Sequence, residues 1–248
     1  MKLPNKRLSL LYTVVAAVFW IGVWAAGAAL AGDFFLPSPW ATVKALAGLI
    51  PTVDFWKTVG LSLLRILAGY LPGVAIGIAG GVLTAKIGFF DRLFSPVLTV
   101  VRSTPVASFI ILALAFFGRN RVPSLIVFLM VLPIVWANVA QGVRTVPVDL
   151  TEVCDVYGIS RKKRWRILYL PHLMPYFSAG ALTSLGLGWK AGVAAEVLST
   201  PQFSIGKQVY DAKVYMETAD LFAWTAVVIA LSLTLETLLK RLLKGGAK

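Results

Sequence analysis

The chain has 248 residues, 58% hydrophobic and only 14% charged, against about a quarter charged in soluble domains, which marks a membrane protein. A net charge of +13 invites a nucleic-acid reading, yet the basic residues adjoin apolar runs, where membrane topology places them. One cysteine, Cys154, and one histidine, His172, exclude an internal disulfide, a cysteine-based metal cluster and a multi-histidine metal site.

The N-terminus joins a basic start to an apolar run from Leu8 to Gly32 that contains Ala29-Leu30-Ala31, the elements of a secretory signal. A signal core covers about 7–15 residues and this run is longer, so a retained first span is expected. Six apolar segments in all, near 9–31, 59–85, 93–117, 122–143, 173–198 and 221–239, approach the ~20 residues that a helix needs to cross hydrocarbon. Helices are required because lipid satisfies no backbone hydrogen bonds, and the ~10-residue alternating segments of a β-barrel are absent. The expectation is an all-α membrane protein with six transmembrane helices. Residues 1–58 would be an N-terminal helix and external loop, 59–240 a transmembrane domain with a loop at 150–171, and 241–248 a tail.

Lys and Arg concentrate at the two termini, at Lys86 and Arg92, and from Arg144 to Arg166. They outnumber Lys44, Lys57, Arg119, Arg121, Lys207 and Lys213 on the other side, so both termini and the 144–171 loop are expected in the cytoplasm. Two spans carry small-residue ladders at a spacing of four: Gly69, Gly73, Gly77 and Gly81, then Gly180, Ser184, Gly188 and Gly192. That spacing lets backbones approach closely, either within one bundle or against a second subunit or a moving pathway. Pro72, Pro96, Pro105 and Pro133 mark places where spans kink or break.

Between the fourth and fifth spans lies a polar island, Glu152 to Pro171. Asp149 or Thr151 is placed to cap a short helix with Glu152 in its first turn. Gly158 suits a left-handed stop, a basic run follows from Arg161 to Arg166, and Pro171 marks the start of the next helix. Glu152-Val153-Cys154, Gly158, Leu168 and Leu170-Pro171 resemble, at the same spacing, the EAA loop of ABC-importer permeases, with Val153 and Cys154 in place of two alanines and Leu168 in place of isoleucine. Leu36-Pro37-Ser38-Pro39, SLLRILAGYLPGVAIGIAGG, DRLFSPVLTVVRSTPVASFIILAL and GLGWKAGVAAEVL look like the nitrate/sulfonate/taurine-type branch of that family.

The resemblance implies a type I importer permease in a bacterial inner membrane. It would pair with a second copy or a second permease, with two cytoplasmic ABC ATPases that hold ATP and magnesium, and with an external substrate-binding protein. A coupling helix is implied at Glu152, Val153, Cys154, Asp155 and Gly158, continuing to Leu168, Leu170 and Pro171. The chain itself has no phosphate-binding G-x-x-x-x-G-K-[ST] loop, no credible Ser/His/Asp set and no paired intramembrane carboxylates. No cofactor, enzymatic activity or nucleic-acid partner is therefore expected of it.

Ionisable residues inside spans are functional candidates by default. Arg65, Arg102, Trp189, Lys190 and Glu196 are the pathway or gate candidates; the excess of cations points to an anionic solute, and the branch resemblance implies one such as nitrate, a sulfonate or taurine. Structural readings stand beside this: snorkelling to the interface, or pairing of Glu196 with Arg65, Lys190 or Lys207. With a helix start at Leu93, Arg102 would lie ~14 Å deep; Pro96 allows a later start. The polar stretch from Ser199 to Asp220 is expected to hold an external helix that meets the binding protein. A stand-alone secondary transporter or channel is the alternative class, and a pyrimidine or thiamine-precursor-like solute the alternative substrate.

Overall fold

The computed structural model describes residues 6–245, with side chains from Leu10 to Lys244; Lys2 and Lys248, counted above for topology, lie outside. Every regular element among the described residues is a helix: α1 (Lys6–Ala31), α2 (Pro39–Leu49), α3 (Val53–Lys86), α4 (Gly88–Ser103), α5 (Val106–Phe117), α6 (Val122–Arg144), α7 (Val148–Val156), α8 (Arg161–Arg164), a π turn (Trp165–Tyr169), α9 (Leu170–Ser199), α10 (Ile205–Val214) and α11 (Thr218–Gly245). The chain divides into two compact units. One takes the residues up to Lys57 with Gln208–Val227, the other Thr58–Lys207 with the chain from Val228 onward.

In the first unit, α1 exposes Leu10, Val14, Val18 and Trp20. A helix apolar all round and largely uncovered by protein suits hydrocarbon as its solvent. Trp24 stacks on Phe222 and donates its indole N–H to the Pro37 carbonyl at 3.0 Å. Phe55 stacks on Trp224 at 5.2 Å between ring centroids. The segment expected as an external loop contains α2. Its start combines an N-cap with a proline in the first turn: Ser38 Oγ accepts from the Ala41 N–H at 3.2 Å, and Pro39 needs no donor there.

The second unit is built around α6, whose Val122, Ile126, Val127, Val131, Val135 and Val139 are fully buried. Glycines let α3 close onto it. A Cβ at Gly69 would stand 2.1 Å from the Ser124 carbonyl oxygen, and one at Gly81 2.7 Å from that of Trp136. Gly73 and Gly77 meet Val131 and Val135 in the same way. On α9, Gly188 faces Val131, Gly192 faces Val127 and Ile66, Gly180 lies against Asn138, and Ser184 is buried. Both ladders thus meet neighbours in the same chain.

Among the described residues four helices, α1, α3, α6 and α11, are long and apolar enough to cross a membrane. The expected third span is two helices, α4 and α5, bent by 102°. The break falls at Thr104-Pro105, not at Pro96: Thr104 is extended (φ −80°, ψ 130°), as a residue before proline prefers, while Pro96 stays inside α4. α9 has ample length at 30 residues, but its Gly and Ser ladder, Lys190 and Glu196 make it less apolar than the other spans.

Candidate functional site

The segment between α6 and α9 folds somewhat differently from its sequence expectation. α7 begins at Val148, ahead of both proposed caps; Pro147 takes the N-cap position and Asp149 sits in the first turn. Thr151 Oγ1 donates to the Val148 carbonyl instead of capping. The end is as glycine permits: Gly158 has φ +61°, its N–H meets the Asp155 carbonyl at 3.0 Å and the Ile159 N–H meets that of Cys154 at 2.9 Å. Asp155 then pairs with Arg164 across the turn, which raises the Arg164 pKa further above the usual arginine range through that hydrogen bond.

Cys154 is buried on the side of its own chain, so it is not on the outward face of α7. That face carries Glu152, Val153, Val156 and Tyr157, the last two 84% and 78% exposed. Val156 and Tyr157 were missed in the motif, although they follow Val153 by three and four residues and so share its side of the helix. Pro171 stands in the first turn of α9, as expected, but no break precedes it. α8 runs through the π turn straight into α9, with the Leu170 N–H bonded to the Trp165 carbonyl. The wider turn lies just before a proline whose ring cannot follow a regular α turn. Leu168 is half-buried in that turn and Leu170 exposed beyond it. Trp165 and Tyr169 stack at 4.9 Å, and the Lys86 ammonium sits 4.2 Å above the Trp165 ring. The C-terminal end of α3 is thereby fastened to the segment that follows α7.

At the other end of α9, Glu196 is completely buried. Ser62 Oγ donates to its Oε2 at 2.8 Å, the Gly206 N–H to the same oxygen at 3.2 Å, and Arg65 Nη1 approaches Oε1 at 3.5 Å. Arg65 also donates to the carbonyls of Phe203 at 3.0 Å and Gln202 at 2.7 Å, while the Ile205 N–H donates to Ser62 Oγ. A buried charge needs such partners. Arg65 and Glu196 therefore form a clamp between α3, the end of α9 and the turn into α10, and Ser62 and Gly206 belong to it. The sequence signal for Ser62 was its place three residues before Arg65 on the same span.

Trp189 is 1% exposed and donates its indole N–H to the Val228 carbonyl at 3.2 Å. Lys190, one residue on, is exposed. Arg102 stands near the C-terminal end of α4, ~21 Å along the helix from Gly88, because α4 begins earlier than expected. Its Nη2 donates to the Pro133 carbonyl at 2.7 Å, and it lines a cavity of about 240 Å³ between α4 and α6. Thus the structure joins Arg65 to Glu196, leaves Arg102 in a different place, and brings neither to Lys190.

A solved chain of the MetNI methionine ABC transporter in inward-facing conformations has the same fold, with a TM-score of 0.61 over 84% of this chain and 97% of that one, at 15% identity. Among curated proteins, the bicarbonate transport system permease protein CmpB of Synechococcus elongatus is 28% identical over 73% of this chain. The nitrate import permease protein NrtB of Leptolyngbya laminosa is 34% identical over 64% of it. These matches span 66% and 56% of the relatives' own lengths. The family profile of the binding-protein-dependent transport system inner membrane component matches residues 73–244, which include α6, α7 and α9. The chain therefore belongs to the family of inner membrane components of binding-protein-dependent transport systems.

Proposed function

We propose that this chain is the permease subunit of an ATP-driven importer and forms, with a second copy or a second permease, the route for a small anion delivered by an external binding protein. Both termini and α7 lie in the cytoplasm in this reading, from the distribution of Lys and Arg. The observation that carries it is α7: a nine-residue helix outside the spans, stopped at Gly158 and presenting exposed Val153, Val156 and Tyr157 beside Glu152. Apolar side chains on a short polar segment favour a protein partner, and a cytoplasmic ATPase carrying ATP and magnesium is that partner. Relatives named for bicarbonate and nitrate support an anionic solute; nitrate, a sulfonate or taurine fits equally well. α10 is the helix that meets the binding protein.

Co-purification tests the assembly. An ATPase subunit retained in detergent, and ATP-dependent uptake in vesicles that needs the binding protein, are the expected results; uptake by this chain alone would overturn the reading. Changing Glu152→Ala together with Gly158→Val should lower transport per ATP hydrolysed at least about tenfold, because the motif contact is lost and a β-branched residue is strained at φ +61°.

A further inference from the structure

We infer that the groove between α4 and α6 is a binding site for a small, singly charged oxyanion, held between Arg102 and Arg144. The inference deepens the importer reading, on which its place along the route depends. Five polar or charged groups matter to the argument. Arg102 and Arg144 line the cavity of about 240 Å³ from opposite helices, with Ser95, Gln141 and Asp91. Ser95 and Arg102 fall on one stripe of α4 with Asp91, while Gln141 and Arg144 are three residues apart on α6.

The charge inventory selects the ligand. Arg144 Nη2 holds Asp91 Oδ1 at 2.8 Å, so one of the two guanidinium charges is already matched. Arg102 makes its bond to a neutral acceptor, the Pro133 carbonyl. One positive charge remains for the groove, along with the other N–H groups of two guanidiniums that carry five each. Ser95 and Gln141 add neutral donors. A cation would meet two guanidiniums, and a dianion would exceed the charge left to balance it. A planar or tetrahedral oxyanion matches the forked donors of arginine, which bind such groups in pairs. The Trp136 ring forms an apolar part of the wall, so a short alkyl tail is accommodated as well as a bare inorganic ion. The space is several times the ~30 Å³ share of a water molecule in the liquid, ample for either and too small for a large metabolite. The groove lies at the α7 end of the unit, near Thr84 and Arg144. An anion held there has passed most of the route and stands near release.

The test uses the complete permease–ATPase complex in detergent without binding protein. Sodium nitrate and sodium methanesulfonate are titrated at constant ionic strength against sodium gluconate, with tryptophan fluorescence and the thermal midpoint as readouts. Nitrate and methanesulfonate should each give a saturable change that gluconate and sulfate do not. Arg102→Gln should raise the half-saturating concentration at least about tenfold, as loss of a charge-assisted contact does, and Arg102→Lys should raise it less. If Arg102→Gln does not fold, Ser95→Val fills the cavity without changing charge and must weaken binding several-fold. Identical titrations with nitrate and gluconate, or unchanged half-saturation in the variants, overturn the site. A failure of ATP-dependent uptake would instead overturn the importer reading, and the two failures are read in separate experiments.

Discussion

Arg65 and Arg102 are both arginines within apolar helices of the same unit, yet they end in opposite conditions. Arg65 is 15% exposed and divides its donors among Glu196 and two backbone carbonyls; Arg102 is exposed, with a bond to one carbonyl and an open cavity beside it. The first is fully engaged and shaped for holding helices together. The second keeps capacity for something that comes and goes. An ionisable residue in a span is thus a functional signal only after its partners are counted.

The largest expected effect is at the engaged site. Arg65→Ala leaves the buried Glu196 carboxylate without its counter-charge and should cost about 3–5 kcal/mol, read as a lower midpoint of thermal unfolding in detergent. Glu196→Gln keeps a group able to bond Ser62 and Gly206 and should cost less. Next comes the approach of α3 to α6. Gly69→Ala places a methyl carbon where the Ser124 carbonyl stands and should cost at least about 1–3 kcal/mol as overpacking. Lys86→Met removes the ammonium from above Trp165 and should cost only about 0.5–1 kcal/mol. Its clearer signature is a fall in transport per ATP hydrolysed, which Lys86→Arg should largely restore. Smallest of all, Arg102→Gln should change the unfolding midpoint by no more than about 0.5 kcal/mol equivalent. Should it destabilise the protein as much as Arg65→Ala, the contrast between clamp and open site collapses.

Much of this was legible in the sequence, where physics is periodic or local. The runs near 59–85 and 122–143 announced α3 and α6 because hydrocarbon demands length and apolarity, and the spacing of Gly69 to Gly81 announced a face with no side chains to hold a neighbour away. Gly158 announced a left-handed turn since other residues are strained there. What escaped was decided by tertiary choice between equivalent local signals. Pro96 and Pro105 carry the same backbone restriction, but the chain bends at only one of them. Ser38-Pro39 is a helix start that passed for a connection. Arg144 counted merely as a topology charge and Asp91 only as part of a family-like stretch, since nothing in a linear chain reveals that they meet. Glu196 likewise had three basic partners available by sequence; the choice of Arg65 follows from how α3 and α9 pack.

The π turn has a consequence in helical phase. It closes each hydrogen-bonded loop around one residue more than an α turn does, and one residue corresponds to about 100° of rotation at 3.6 residues per turn. The orientation of Trp165 relative to the buried ladder of α9 is therefore set by a single inserted residue. Deleting one residue within Trp165–Tyr169 would leave α9 seated against α6 but swing the preceding basic segment by roughly that angle, carrying its aromatic perch out from under Lys86. The segment after α7 works like a vernier, on which one residue is the smallest step between alignment and slip.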